Sequence, residues 1–125
     1  MKNVELMKEF LSSQGFRYEQ SENGNLFFKY QMRNFMYFAN DEDQGFFHMA
    51  MPAIYDVTED NREGILEATN RITSSLKVAK AIVLDDEVWL STELLLDSTP
   101  VYDDIVPRVL DILIGAQQEF YNQIS

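Results

Sequence analysis

The sequence predicts an α+β fold: a largely antiparallel β-sheet with three helices, in the order α-β-β-β-β-α-β-β-α. Two observations carry this reading. Apolar residues recur every three or four positions in three separate segments, near residues 4–11, 65–76 and 105–124, which is the period of a helix. Between those segments aromatic and β-branched residues alternate with polar ones, and short polar stretches break the alternation, as strands joined by tight turns would. The chain has 125 residues, of which 46% are hydrophobic, so it suits one domain over 1–125 with a real core.

The first helix is read from Val4, Leu6, Met7, Phe10 and Leu11, with Gly15 as its stop. Next, "FRYEQSENGNLFFKYQM" alternates on both sides of Asn23-Gly24. A two-residue turn there would put the two apolar sets on opposite faces. A three-residue loop of Glu22, Asn23 and Gly24, with Gly24 left-handed, pairs Tyr18 with Phe28 and Phe16 with Tyr30, so that both sets face one core. A third strand is expected in "NFMYFAN", after a tight turn near Met32 to Asn34. The fourth, "GFFHMAM", is expected to end at Pro52, which has no N–H to continue a ladder. The polar "NDEDQ" between them reads as loop.

The second helix is read from Asp60 and Glu63 in capping-box spacing, followed by the stripe Ile65, Leu66, Ala68, Ile72 and Leu76. In "KVAKAIVLDDEVWLS" the alternation runs to Leu84 and resumes at Val88, so Asp85, Asp86 and Glu87 form a hairpin tip. A two-residue turn groups Ile82 with Trp89, a three-residue loop groups Ile82 with Leu90, and no glycine chooses between them. The last helix follows the stripe Ile105, Val109, Ile112, Leu113, Ala116, Phe120 and Ile124. Pro107 is best tolerated in a first turn, which predicts a start near Asp103 or else a kink.

Formal charge is −11, and it is unevenly spread: residues 1–33 hold five basic and four acidic side chains, residues 34–125 five and seventeen. Such a surface repels phosphate backbones, which excludes a general nucleic-acid binder. No apolar run reaches the roughly 18 residues of a membrane span, and Glu5 and Glu9 interrupt the start where a signal peptide would be apolar. The expected location is cytoplasmic, with no membrane partner. There are no cysteines, hence no disulfides and no thiolate chemistry.

Candidate catalytic and metal-binding residues each have a plainer role. His48 is the sole histidine and has no second nitrogen or thiol ligand to join it. "NDEDQG" has the look of a calcium loop, yet its twelfth position is Met51, where a bidentate acid is required. The acids of the hairpin tip are expected to be wet and so unsuited to acid–base work. Asn70, Ser74 and Ser75 read as ordinary helix residues. No nucleophile elbow or phosphate-binding glycine loop occurs, and no catalytic residue, metal or cofactor is assigned.

The patterns "GNLFFKYQMRNFMYFAN", "DQGFFHMAMP" and "ATNRITSSLKVAKAIVLDDEVWLSTEL" together resemble the YbjN-type bacterial sensory transduction regulators, whose domain is similar to type III secretion chaperones. The resemblance covers most of the chain. It implies an α+β binding scaffold, often dimeric, with no catalytic residues to carry over.

One excess in the sequence points to function. If Leu26, Phe28, Tyr30, Phe35 and Tyr37 face the helices, then Phe27, Met36 and Phe38 face the other way, and three helices do not readily cover both faces. Phe27, Met36, Phe38 and Trp89 are therefore the expected partner-binding residues. The expectation is a non-enzymatic, chaperone-like or regulatory protein-interaction domain, a homodimer that can also take a protein or peptide partner. The alternative is a small-molecule sensor with an apolar pocket between sheet and helices.

Overall fold

The computed structural model describes residues 2–40 and 42–125, so Asp41 of the polar "NDEDQ" stretch lies outside the described residues. The elements are α1 (Asn3–Ser13), β1 (Tyr18–Gln20), β2 (Leu26–Tyr30), β3 (Arg33–Tyr37), β4 (Phe46–Asp56), α2 (Arg62–Ser75), β5 (Ala79–Leu84), β6 (Glu87–Leu95) and α3 (Tyr102–Ile124). The expected α+β order is the observed one. The six strands form one antiparallel sheet in the order β1-β2-β3-β4-β6-β5.

Helix α1 ends as its glycine predicts. Gly15 takes φ +76°, its N–H donates to Ser12 O, and the Phe16 N–H reaches back to Leu11 O, which satisfies carbonyls that the helix end would leave open. The chain then enters β1 with Tyr18 opposite Phe28 and Gln20 opposite Leu26. Ser21 N–H donates to Asn25 O and Gly24 stands at φ +91°, so the loop is the three-residue Glu22–Gly24. Phe16 and Tyr30 lie beyond the ladder, but their rings still meet at 5.5 Å.

Three local expectations need correction. The turn before β3 lies at Gln31-Met32 rather than at Met32 to Asn34. Both residues are left-handed, at φ 50° and 63°, and neither is the glycine or asparagine that announces such a turn. Pro52 does not end β4, which runs on to Asp56. Pro52 sits where β4 parts from β3, whose last described pair on this side is Met36 with Ala50. A bulge at Ala53, φ 50°, then carries β4 to a new register on β6, from Met51–Leu90 to Tyr55–Val88. The capping box of α2 is built two residues earlier than Asp60–Glu63: Thr58 N–H donates to Asn61 Oδ1 while Asn61 N–H donates to Thr58 Oγ1. Asparagine, being shorter than glutamate, serves that reciprocal pair.

The hairpin register is settled in favour of the two-residue turn. Asp85 and Asp86 take φ 52° and 60°, Leu84 faces Glu87, and Ile82 faces Trp89. Helix α3 starts at Tyr102, one residue before the expected Asp103, and Pro107 lies in its second turn. Asp103 and Asp104 occupy the first turn, where the helix dipole favours anions.

The three helices and one face of the sheet share a single core, built around Met7, Leu11, Phe35, Phe47, Leu90 and Phe120. Its polar exceptions are few. Tyr37 and Tyr102 join hydroxyls at 2.7 Å, and burial pushes the Tyr102 phenol above its ordinary range, against the opposing pull of that hydrogen bond.

Candidate functional site

Alternation along each strand fixes what the other face carries. Phe28, Phe35, Met49, Met51, Val88 and Leu90 are buried toward the helices, so Phe27, Met36, Ala50, Trp89 and Ile82 project outward. Level with one another across the strands lie Phe27, Met36, Ala50, Ser91 and Lys80. On one side of that row stand Phe38, His48 and Glu93, then Phe46 and Leu95. On the other stand Lys29, Asn34, Trp89 and Ile82, and beyond them Asp56, Glu87 and Leu84.

All four residues expected to bind a partner, Phe27, Met36, Phe38 and Trp89, therefore lie on one outward face. Phe27 keeps 40% of its surface exposed, and Phe38 and Trp89 are half-buried. Met36 retains only 6% and is thus buried, although it lies on the same face. Sequence reasoning missed three further members: Ile82 and Leu84, exposed at 40% and 43%, and Leu95 at 91%. The signal for Ile82 was its pairing with Trp89, hidden by the open hairpin register.

His48 sits in this face. Its ring stacks on Phe38 with centroids 4.0 Å apart, and Phe46 lies 5.9 Å away. Burial lowers its pKa, nearby Glu93 opposes that shift, and Lys80 adds to it. Glu93 is ion-paired with Lys80 across the hairpin, and this hydrogen bond holds its carboxyl below the usual range. At the β1–β4 side of the face lies a groove of about 860 Å³, flanked by Arg17 and Lys29, with Phe27 and Pro52 in its walls.

Both sheet edges are poor places to add a strand. The edge at β1 is three residues long. At the other edge Thr73 of α2 engages the backbone of β5, accepting from Ala81 N–H at 2.9 Å and donating to Ala81 O at 3.2 Å. An added strand would thus meet a short edge at β1 and an occupied one at β5.

Among the described residues no group of three histidine, aspartate or glutamate side chains converges on a point where a metal could sit. Asp86 at the hairpin tip is tied to Arg62 at 2.5 Å, and Asp85 is exposed. Among the described residues, no helix is long and apolar enough to cross a membrane.

Comparison with known proteins places the fold. No protein-family model matches the chain, and no curated protein is similar to it in sequence. Among solved structures, the chain is similar to YbjN from E. coli, a candidate transcription regulator, with a TM-score of 0.71 at 12% identity over 94% of this chain and 89% of that one. It is also similar to an uncharacterized protein from Methanothermobacter thermautotrophicus, with a TM-score of 0.66 at 14% identity over 96% and 94% of the two chains. The YbjN-like fold expected from the sequence patterns is the observed one, and at these identities the likeness is one of fold alone.

Proposed function

We propose that this chain is a non-enzymatic, cytoplasmic protein-interaction domain that works through the outer face of its sheet, and that its first partner is a second copy of itself. One observation carries the reading: among the described residues, all three helices pack on one side of a six-stranded sheet, and the other side carries Phe27, Phe38, Trp89, Ile82 and Leu95 with no helix or strand over them. Exposed contiguous apolar surface is the usual mark of an interface. Strand spacing and rise give this face a projected area on the order of 600 Å², more once side-chain relief is counted. That is comparable with the roughly 800 Å² a side covered in stable complexes. The blocked edges support a face-on partner.

The sensor alternative needs a cavity between sheet and helices. That space is occupied by Tyr37, Phe47 and Tyr102, whose rings meet edge to face at 5.5–6.2 Å, and by fully buried Met7, Leu11 and Phe120. The described grooves open on the surface instead.

The sole tryptophan is a built-in reporter, because Trp89 lies on the proposed interface. Its emission should shift to the red as the protein is diluted from high micromolar concentration and the face becomes wet. Emission typical of an exposed indole at every concentration, with no dependence on dilution, contradicts the proposal.

A further inference from the structure

The outer face carries opposite charges on opposite sides of the sheet, near the same end of the strands. Among the described residues, Arg17, Lys29 and Lys77 make neither an ion pair nor a side-chain hydrogen bond, although the chain has 21 acidic side chains and net charge −11. Two of these three free cations, Arg17 and Lys29, flank the same groove at the β1–β2 side. Glu19, opposite Phe27, lies beside them and leaves that corner net positive. At the far side, Asp56 and Glu87 are direct cross-strand partners, two like charges facing one another with Asp85 next to them at the turn. Such a pair is unfavourable unless something positive comes near. Between the corners the only other charges among the described residues are the internally neutralised Lys80–Glu93 pair, set among Asn34, Ser91, His48 and apolar side chains.

From this distribution we infer how two copies meet: face to face about a two-fold axis running along the strands, so that β1 and β2 of each copy lie over β5 and β6 of the other. The inference rests on the self-association proposed above. A two-fold interface requires that the patch at one end of the surface fit the patch at the other, and a basic corner with an acidic corner on one face meets that condition. In this arrangement Lys29 comes over the indole of the opposing Trp89, one same-face step along the strand from the opposing Glu87 and its partner Asp56. The cation thereby gains both an aromatic face and a carboxylate. Rotation about an axis across the strands through the Met36–Ala50 row instead stacks β2 on β2 and β6 on β6 with each strand reversed, so Asp56 and Glu87 fall over the opposing Phe46–Leu95 end and the basic corner is not brought to the acidic one. Charge thus selects the crossed arrangement and the second copy as occupant.

Charge reversal tests this, with sedimentation equilibrium as the readout and circular dichroism as the check on folding. Lys29→Glu and Glu87→Lys should each weaken dimerisation about tenfold, since each contact occurs twice and turns from attraction to repulsion. The double variant Lys29→Glu/Glu87→Lys should recover most of the loss. If the wild type is monomeric throughout, self-association itself fails. If the wild type dimerises but the single variants dimerise equally well, the crossed arrangement fails while the interface stands. If both single variants weaken and the double variant does not recover, Lys29 and Glu87 do not meet and the inference is overturned.

Discussion

At Gly24 a backbone φ of +91° coincides with close quarters: a Cβ built there would stand 3.3 Å from the Ala39 Cβ. Gly24→Ala should therefore cost more than the roughly 1 kcal/mol of left-handed strain alone, read as a lower urea midpoint at unchanged m-value. An unchanged or raised midpoint would contradict the loop conformation. His48 supplies a prediction in pH. Its ordinary value is 6.5 and burial lowers it in the fold, so between those values the unfolded chain binds the extra proton. The contribution of His48 is fully present above 6.5, is lost as pH falls toward the folded value, and levels off below it. Urea denaturation at about pH 7.5 and about pH 5.5 should show lower stability at the acid point, and His48→Phe should flatten that step. An equal step in the variant would assign the effect elsewhere. The residues that escaped sequence reasoning are those whose chemistry does not announce their geometry. Gln31, Met32 and Ala53 adopt left-handed backbone without being glycine or asparagine, so neither the β2–β3 turn nor the bulge could be placed from residue type.

Whole elements were more legible than their ends, because period depends on many residues and a boundary on one or two. All nine elements follow from apolar spacing, and the β1–β2 register follows from parity, since only one loop length puts Tyr18 and Phe28 on the same side. The β5–β6 register stayed open for want of a glycine, and tertiary structure settled it with two consecutive left-handed aspartates. Because that conformation suits asparagine at least as well, and an exposed ion pair such as Arg62–Asp86 contributes little, Asp85→Asn/Asp86→Asn should change stability by no more than about 0.5 kcal/mol. A loss of several kcal/mol on chemical denaturation would give these acids a role beyond the turn. Pro52 misled for a physical reason. Its missing N–H does end a ladder, but only the one toward β3, and β4 keeps its other edge on β6.

At the scale of the molecule, the layer arrangement ties sequence to function. A single sheet with helices on one side must expose its other side, and on this sheet Phe27, Phe38, Trp89, Ile82, Leu84 and Leu95 stand among the polar residues of that side. Phe27, Met36 and Phe38 were legible as members of that face because strand parity alone assigns them. Trp89 was named with them although its side of the sheet depended on the open hairpin register, and Ile82 was missed for that same reason. The basic corner follows from the β1–β2 register read from the sequence, which sets Arg17 opposite Lys29, whereas the acidic corner does not, since Asp56 meets Glu87 only after the bulge in β4. The measurement that bears most directly on the outer face as an interface is sedimentation equilibrium of the wild type beside Phe38→Glu. Phe38 is half-buried against His48 at the surface of the sheet rather than in the core, so the charge can be placed there without unfolding the chain. The wild type should sediment as a dimer at micromolar concentration and the variant as a folded monomer. A wild-type monomer across the concentration range, or a Phe38→Glu dimer as tight as the wild type, would contradict it.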